Sequence, residues 1–348
     1  MSLPDIVLNF YNSVIIIDER ANQHWIVTTG APEKTKSAWL KRAEATLASI
    51  RNVIHQAPSS FQTKPLPHRF VASLQSNLTK GRYIEAVLKM KAAILNGDIF
   101  QANLSQQFRA RLLEGISPLD LYFKLMSVNP APFSAFITIP NYGAIISASP
   151  ERFIKLTHRR VETCPIKGTR RRVQDEALDQ QLADELQNSE KDRAENTMIV
   201  DLMRNDLSKV CEPHSVHVEA LCALKSFETV HHLVSHITGR LKADRNALDL
   251  LKATFPPGSI TGAPKIRAME IITELEQQAR GPYCGSIGYL SFTGDMDLSV
   301  VIRTYFTHHD EVFFNAGGAI VLDSSPEDEY AESMLKAQAL IEALGILS

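Results

Sequence analysis

The feature that most constrains the fold is a series of short strand-like runs in the middle of the chain. Four such runs follow one another, at residues 133–139, 144–149, 152–157 and 160–164. They are rich in the β-branched and aromatic residues that favour strands, and turn-forming residues at 141–143 and 158–159 separate them. The sequence therefore predicts an antiparallel meander at this point of the chain.

Helical and extended patterns account for most of the remaining sequence. Apolar residues recur at helical spacing within residues 36–56, 79–96, 119–128, 175–187, 190–206, 246–254, 264–278 and 325–345. Further strands are predicted at residues 6–17, 25–28, 99–112, 284–292, 297–307 and 312–322. Runs of strands followed by runs of helices indicate an α+β fold with antiparallel sheets, not a doubly wound parallel sheet. Residues 57–75, rich in Pro, Ser and His, are predicted to be an irregular connector.

Composition excludes several classes of protein. Hydrophobic residues make up 44% of the chain and charged residues 22%, which is ordinary for a globular protein, and a net charge of -2 does not favour nucleic-acid binding. The four widely spaced cysteines (Cys164, Cys211, Cys222 and Cys284) predict free thiols, not disulfides or a zinc site. No signal peptide or apolar run of membrane-spanning length is visible, so we expect a cytoplasmic protein. Neither glycine-rich nucleotide motif is present.

One lysine is notable for its neighbours. Lys167 follows a predicted strand that ends at Pro165, and it is flanked by Gly168 and Thr169. Burial can lower the pKa of a lysine by several units from its free value of about 10.4, which leaves a neutral nucleophile. Glu151 begins the strand that returns toward Lys167, so its carboxyl could act as a general acid. A surface lysine in a turn and a surface acid at a strand end are the alternative interpretation.

Acidic residues on predicted helices allow for a metal site. Glu195 borders an apolar helical stripe and could bind Mg²⁺, which takes one or two carboxylates and keeps several waters, although an acid on the helix flank would look the same. Glu332 and Lys336 lie four residues apart on one helix, which is also the spacing of a surface ion pair. His232 and His236 have helical spacing too, but without a third ligand they do not predict zinc.

Positions within predicted strands and loops suggest binding of an anion. Arg303 falls inside an apolar strand and needs a partner, which could be a substrate carboxylate or an internal acid. The glycines of residues 258–262 and 316–319 could present backbone N–H groups to an anion, although ordinary turns would contain them as well.

A series of segments, in order from about Thr79 to the C-terminus, resembles the chorismate-utilising enzymes. The segments read GDIFQANLSQQF, SASPERF, ETCPIKGTRRR, DRAENTMIVDLMRNDL, TVHHLVS, GSITGAPKIRAMEII, GSIGYLSF, SVVIRT, NAGGAIVLDS and EYAESMLKA. Within the family they are most similar to the aminodeoxychorismate synthase component I group. The resemblance implies two mainly antiparallel β-sheets packed together with helices outside. Residues 79–348 would be the chorismate-binding catalytic domain, and residues 1–78 a shortened N-terminal region and connector.

Two positions imply which reaction is catalysed. Family members that use water carry a lysine general base where this chain has Gln101, so the resemblance implies ammonia as the nucleophile. Anthranilate synthases carry alanine where this chain has Lys167, and the sequence around Lys167 is typical of aminodeoxychorismate synthases. The implied activity is conversion of chorismate and ammonia into 4-amino-4-deoxychorismate, for para-aminobenzoate and folate synthesis.

The resemblance also implies roles for individual residues. Lys167 would attack C2 of chorismate, Glu151 would protonate the departing C4 hydroxyl, and Glu195 and Glu332 would hold Mg²⁺. Residues expected to bind carboxylates or line the ring pocket are Gln101, Gly168, Thr169, His232, Ser259, Tyr289, Arg303, Gly317, Gly318 and Lys336. Glutamine would serve as the ammonia source only through a separate glutamine amidotransferase subunit.

Two other functions are compatible with the same segments. An anthranilate synthase component I would release pyruvate without an added lyase. A non-catalytic chorismate-binding module would bind chorismate and leave it unchanged. No nucleic-acid or membrane partner is expected.

Overall fold

The N-terminal part of the chain is a small unit of its own in the computed structural model, which describes residues 4–57, 65–227 and 230–346. This unit, Met1–Leu66, contains the antiparallel hairpin of β1 (Ser13–Asp18) and β2 (Gln23–Thr28), followed by α1 (Lys36–Gln56). The predicted helix is confirmed. The first strand is shorter than predicted because β2 offers only six residues for pairing.

The second unit, Pro67–Ser348, contains all the other elements. Its strands are β3 (Val71–Ser76), β4 (Gln101–Leu112), β5 (Phe133–Ile139), β6 (Gly143–Ser149), β7 (Arg152–Thr157), β8 (Arg160–Thr163), β9 (Ile166–Arg171), β10 (His217–Ser226), β11 (Val230–Arg240), β12 (Gly262–Ala263), β13 (Ser286–Leu290), β14 (Met296–Val300), β15 (Thr304–His308) and β16 (Glu311–Ile320). Its helices are α2 (Lys80–Leu95), α3 (Pro118–Val128), α4 (Glu176–Asn188), α5 (Glu190–Ser208), α6 (Ala247–Thr254), α7 (Lys265–Glu276) and α8 (Pro326–Ala343), with one 3₁₀ turn at Gly258–Ile260.

The strands form two seven-stranded sheets. The first has the order β12-β4-β16-β15-β6-β5, with β3 also paired to β4, and the second has the order β10-β11-β8-β7-β14-β13, with β9 also paired to β11. Every strand pair among the described residues is antiparallel. The predicted α+β class with antiparallel sheets is confirmed.

Helices cover one face of each sheet. On the first sheet, alternate residues such as Ile146 and Phe314 pack with Leu125 of α3 and Leu340 of α8. On the second sheet, strand residues pack against α5 and α6 in a separate cluster that includes Ile199. Full burial of a side chain of this size contributes about 1.5–3 kcal/mol, so these clusters hold both sheets to their helices.

Two of the places where the chain passes from one sheet to the other are short and lie side by side. Residues 150–151 lead from β6 to β7, so the prediction of one meander over residues 133–164 is wrong: β5 pairs with β6 in the first sheet, and β7 pairs with β8 in the second. Residues 301–303 lead from β14 to β15. The prediction of one continuous strand over residues 297–307 is therefore wrong: pairing stops at Val300, and Arg303 has a φ of 52°. The Val300 N–H donates to the Glu151 carbonyl over 3.0 Å, and the Ala148 N–H donates to the Arg303 carbonyl over 3.0 Å. These bonds join the two crossings.

Other differences concern strands that lack a strong pattern. The predicted connector contains β3, which pairs with the edge of β4; residues 58–64 of that connector lie outside the described ranges. The two units divide between Leu66 and Pro67. β10 and β11 were not predicted, and β11 puts His232 and His236 on an extended strand, where the helical spacing weighed for zinc does not apply.

Two expectations about the whole chain can be compared with the described residues. All four cysteines are free thiols, as predicted. None of the helices in the described ranges combines the length and the apolar character that crossing a membrane requires.

Candidate active site

Lys167 lies inside a strand, not in a turn. Pro165 ends β8 as predicted, yet the chain then pairs again with the same neighbour, β11. Thr163 lies opposite Ile237 in β8, and Lys167 lies opposite Leu233 in β9. The proline thus causes a local break between two strands that pair with the same neighbour. Lys167 is paired to β11 along one edge of β9, next to a register shift.

The surroundings of Lys167 favour its neutral form. Burial lowers the pKa of Lys167, and the nearby Lys336 ammonium lowers it further, while Glu195, Glu151 and Glu332 act in the opposite direction. The net result is a pKa below the ordinary value. The side chain keeps some accessible surface although protein surrounds it, which is the situation of a group lining a chamber. An amine in this setting is a candidate nucleophile.

Gly168 is required at its position. Its φ is +76°, and a Cβ there would lie 2.8 Å from the Leu186 side chain and 3.0 Å from Asp192. Beside it, the Thr169 hydroxyl is 2.9 Å from Nδ1 of His232, and the His232 ring also hydrogen-bonds the Gly168 backbone. Burial lowers the pKa of His232, so this ring is a neutral part of the wall next to Lys167.

Glu151 lies at the first crossing between the sheets and is only 5% exposed. The Ser259 hydroxyl, in the buried 3₁₀ turn, donates a hydrogen bond of 2.7 Å to its Oε1. Burial raises the pKa of Glu151 to about 7, even though Ser259 and Lys167 both act to lower it. A carboxyl with this pKa is substantially protonated near neutral pH, as a general acid must be.

Three carboxylates from two helices face one another near Lys167. Glu195 comes from α5, and Glu329 and Glu332 come from successive turns of α8. Burial raises the pKa of Glu195 and of Glu329, and in each case the Glu332 charge adds to the effect. Burial also acts to raise the pKa of Glu332, but Lys336, 2.5 Å away, together with Lys191 and Lys167 lowers it below its ordinary value. The three carboxylates therefore concentrate negative charge, which the nearby lysines neutralise only partly.

A hard cation would fit these residues. Oε2 of Glu329 is buried without a hydrogen-bond partner among the described residues. Gly318 makes room for the carboxylates, since a Cβ there would lie 3.0 Å from Glu329 Oε2 and 3.3 Å from Glu332 Oε1. Within the described ranges, no group of three or more His, Cys, Asp or Glu side chains is placed so that it could hold a metal ion by itself. Mg²⁺ needs only one or two carboxylates besides waters and substrate oxygens, so the donor set suits it.

Arg303 provides a positive group at the second crossing between the sheets. Its guanidinium donates to the Lys336 carbonyl, and no carboxylate forms an ion pair with it among the described residues. Burial lowers the pKa of Arg303, and the electrostatic interaction with Tyr283 acts in the opposite direction. Tyr289 lies elsewhere: it is 61% exposed on β13, and its charged neighbours are strand residues around Asp297. Of these two tyrosines, Tyr283 is therefore the one that interacts with Arg303.

Gln101 and the two adjacent glycines lie on paired strands of the first sheet. Gln101 begins β4, is 2% exposed, and its Oε1 is buried without a partner among the described residues. Gly317 and Gly318 lie inside β16, within the strand predicted at residues 312–322, opposite Ser105 and Leu104. Because β15 pairs with β16 only as far as Phe314, one edge of β16 beyond that point is not paired to another strand in the described structure. Its backbone groups can therefore face a ligand.

The structure brings most of the expected residues together and adds others. Lys167, Glu151, Glu195, Glu332 and Lys336 interact electrostatically, and Ser259 hydrogen-bonds Glu151. His232 hydrogen-bonds Thr169 and the backbone of Gly168, which directly follow Lys167 in the chain. Glu329 and Tyr283 were missed. The spacing of Glu329, one helical turn before Glu332, was the available signal for the first. No comparable pattern in the sequence distinguished Tyr283 from Tyr289.

Comparison with known proteins agrees with this arrangement. The profile of the chorismate binding enzyme family matches residues 1–342. The aminodeoxychorismate synthase component 1 of Salmonella typhimurium is 43% identical over 99% of this chain and 71% of its own length. The anthranilate synthase component 1 of Aquifex aeolicus is 44% identical over 78% of this chain and 54% of its own length. The crystal structure of anthranilate synthase component I from Streptococcus pneumoniae superposes with a TM-score of 0.81 at 36% identity, over 94% of this chain and 72% of that one. The chain belongs to the chorismate binding enzyme family.

Proposed function

We propose that the chain is an aminodeoxychorismate synthase component 1, which converts chorismate and ammonia into 4-amino-4-deoxychorismate. Relatives of that name align over nearly the whole chain at 42–43% identity. The observation that carries the proposal within the family is Lys167: an amine with a lowered pKa, next to a carboxyl whose pKa is raised to about 7.

The first step uses both of these groups. The neutral amine of Lys167 attacks C2 of chorismate, both ring double bonds shift by one position, and the C4 hydroxyl departs as water with a proton from Glu151. The amine proton released in the attack restores the Glu151 carboxyl, so that the net change is an N–C bond formed and one water lost. Ser259 keeps the carboxyl oriented through its 2.7 Å hydrogen bond. Positioned proton transfer of this kind typically contributes 10²–10⁴-fold in rate.

Ammonia completes the reaction in the second step. It attacks C4, both double bonds shift back, and the Lys167 amine leaves C2 with a proton taken from the attacking nitrogen. Splitting one displacement into two steps is the advantage of a covalent nucleophile. Gln101 supplies a neutral amide at the position where water-using relatives carry a lysine base, which supports ammonia as the nucleophile.

We propose Mg²⁺ as the cofactor, held by Glu195 and Glu332 with Glu329 beside them. When bound, the ion would neutralise a substrate carboxylate and orient the ring. Arg303, Tyr283, Lys336 and the open edge of β16 at Gly317 and Gly318 would bind the remaining carboxylate oxygens. Arginine suits this role because its fork matches a carboxylate in a bidentate manner.

The partner we propose is a glutamine amidotransferase subunit, which would release ammonia from glutamine. The component 1 designation of the relatives supports a second component. The free thiols are consistent with the cytoplasmic location that we also propose.

The test is turnover by the purified chain of chorismate with Mg²⁺ and an ammonium salt. We expect 4-amino-4-deoxychorismate without pyruvate, and loss of that product in Lys167→Ala. Lys225→Ala, which changes an exposed lysine of β10, serves as the matched control. Release of pyruvate and anthranilate would instead identify an anthranilate synthase, and chorismate binding without turnover would identify a binding module.

A further inference from the structure

We propose that Asn103 is a positioning residue for the incoming ammonia, and that it forms a two-point acceptor site together with Gln101. This inference rests on the proposed function and names the part of the site that holds the second substrate. Asn103 received no role in the sequence analysis, where only Gln101 was considered.

The proposal is based on two buried amide oxygens that accept no hydrogen bond among the described residues. Gln101 is 2% exposed and Asn103 is 7% exposed. Oε1 of Gln101 and Oδ1 of Asn103 are both buried, and neither has a hydrogen-bond partner within residues 4–57, 65–227 and 230–346. Leaving a buried polar atom without a partner destabilises the folded chain, so two such atoms on one strand point to a polar ligand.

The spacing of the two oxygens suits one small donor. Gln101 and Asn103 are two residues apart on β4, so their side chains leave the same face about 6.6 Å apart at the backbone. A nitrogen that donates to both oxygens at about 2.9 Å each can span about 5.8 Å. One ammonia molecule can therefore donate to both oxygens after a small convergence of the side chains.

The backbone holds Asn103 firmly and connects it to the catalytic carboxyl. Its N–H donates to the Thr261 carbonyl over 2.7 Å, and its carbonyl accepts from Arg280 over 2.7 Å. Thr261 follows the 3₁₀ turn that contains Ser259, whose hydroxyl bonds Glu151. The acceptor pair is thus one short loop away from the group that protonates the leaving hydroxyl.

The chemistry of the pair matches ammonia better than water. Two amide oxygens can take two N–H bonds and leave the nitrogen lone pair free to attack. Water would need a base to become a strong nucleophile, and neither amide can act as one. The site therefore orients ammonia without accepting its proton.

The test separates capture of ammonia from the earlier attack by lysine. With Asn103→Leu, we expect the Lys167 adduct to form from chorismate and Mg²⁺ at the wild-type rate. We expect the KM for ammonia to rise about tenfold, equivalent to about 1.4 kcal/mol. If the leucine variant folds poorly, Asn103→Ser shortens the side chain without adding apolar bulk. It should likewise raise the KM for ammonia and leave the rate of adduct formation unchanged.

The matched control is Asn315→Leu. Asn315 is also a buried amide, 8% exposed, on the neighbouring β16, but its Oδ1 already accepts from Gln107 over 3.3 Å. We expect this variant to keep the wild-type KM for ammonia. Equal slowing of adduct formation and ammonia capture in both Asn103 variants, an unchanged KM in them, or the same rise in the control would overturn the proposal. A wild-type protein that forms neither adduct nor product would instead refute the proposed function.

Discussion

Replacing Glu151 by glutamine should make the protein more stable at alkaline pH while removing its general acid. The carboxyl is buried next to Ser259, and its pKa is raised from 4.5 to about 7. The unfolded chain releases this proton near pH 4.5, whereas the folded chain keeps it until about pH 7. The contribution of the Glu151 carboxyl to the free energy of unfolding of the wild type is therefore fully present below pH 4.5 and is lost as the pH rises through 7.

The magnitude follows from the two pKa values. Their difference is about 2.5 pH units, and each unit corresponds to 1.36 kcal/mol, so the carboxylate costs up to about 3 kcal/mol at pH 8. A neutral amide does not have this cost, and its carbonyl can still accept from Ser259. We expect the free energy of unfolding of Glu151→Gln, relative to the wild type, to rise by up to about 3 kcal/mol between pH 4.5 and pH 8.

Urea unfolding of both proteins across that pH range measures this difference directly. Effects of the substitution that do not depend on pH cancel in the comparison, as do all other titrating groups that the substitution leaves alone. A difference that stays constant with pH, or that decreases toward pH 8, would refute the assignment of a raised pKa to Glu151. In the same variant, formation of the Lys167 adduct should slow by about 100-fold or more because no proton reaches the leaving hydroxyl.

Three further substitutions address other parts of the account. Arg303→Lys should raise the Kd for chorismate about tenfold or more in an equilibrium titration, since a lysine cannot replace a bidentate guanidinium; an unchanged Kd would exclude a carboxylate at that position. Gly318→Ala should weaken Mg²⁺ binding several-fold in calorimetry, because the new Cβ would lie 3.0 Å from Glu329 Oε2, and wild-type affinity would separate Glu329 from the metal site. Lys265→Met should lower the free energy of unfolding by about 1.5–3 kcal/mol, because it removes the 2.6 Å partner of the buried Asp206 and leaves it only the more exposed Lys209 at 2.8 Å; a loss below about 0.5 kcal/mol would contradict that role.

Local signals in the sequence were sufficient for the helices. α1 begins after Thr35 and α2 after Thr79, whose side chains accept from backbone N–H groups of the first turn, and both helices occupy nearly the predicted residues. Caps and helical periodicity depend on residues within a few positions of one another, so a single sequence contains them.

Strand pairing depends on distant residues, and there the sequence was less informative. Pro165 correctly marked the end of β8, but only the position of β11 decides that the chain pairs again at Lys167. In the same way, Arg303 looked like part of one long strand. The two strands that flank it, β14 and β15, are both rich in apolar residues, although they belong to different sheets. A crossing between sheets has no local pattern of its own.

The candidate site was also predicted only in part from the sequence. The resemblance identified Lys167 and Glu151, and the structure adds why their pKa values move in opposite directions: both are buried, and burial disfavours the charged form of each. Tyr289 was expected in place of Tyr283 because both belong to one short segment, and only the fold shows which of them lies beside Arg303. Asn103 could not be recognised either, since an unused acceptor is a property of the packed structure.

The central claim is that the Lys167 amine bonds covalently to the substrate. The most direct measurement is peptide mass spectrometry of the protein after rapid mixing with chorismate and Mg²⁺ in the absence of ammonia. The account predicts a peptide containing Lys167 that is heavier by chorismate less one water, and the addition of ammonium should remove this mass and release 4-amino-4-deoxychorismate. An unmodified Lys167 peptide throughout turnover, together with a wild-type rate in Lys167→Ala, would contradict it.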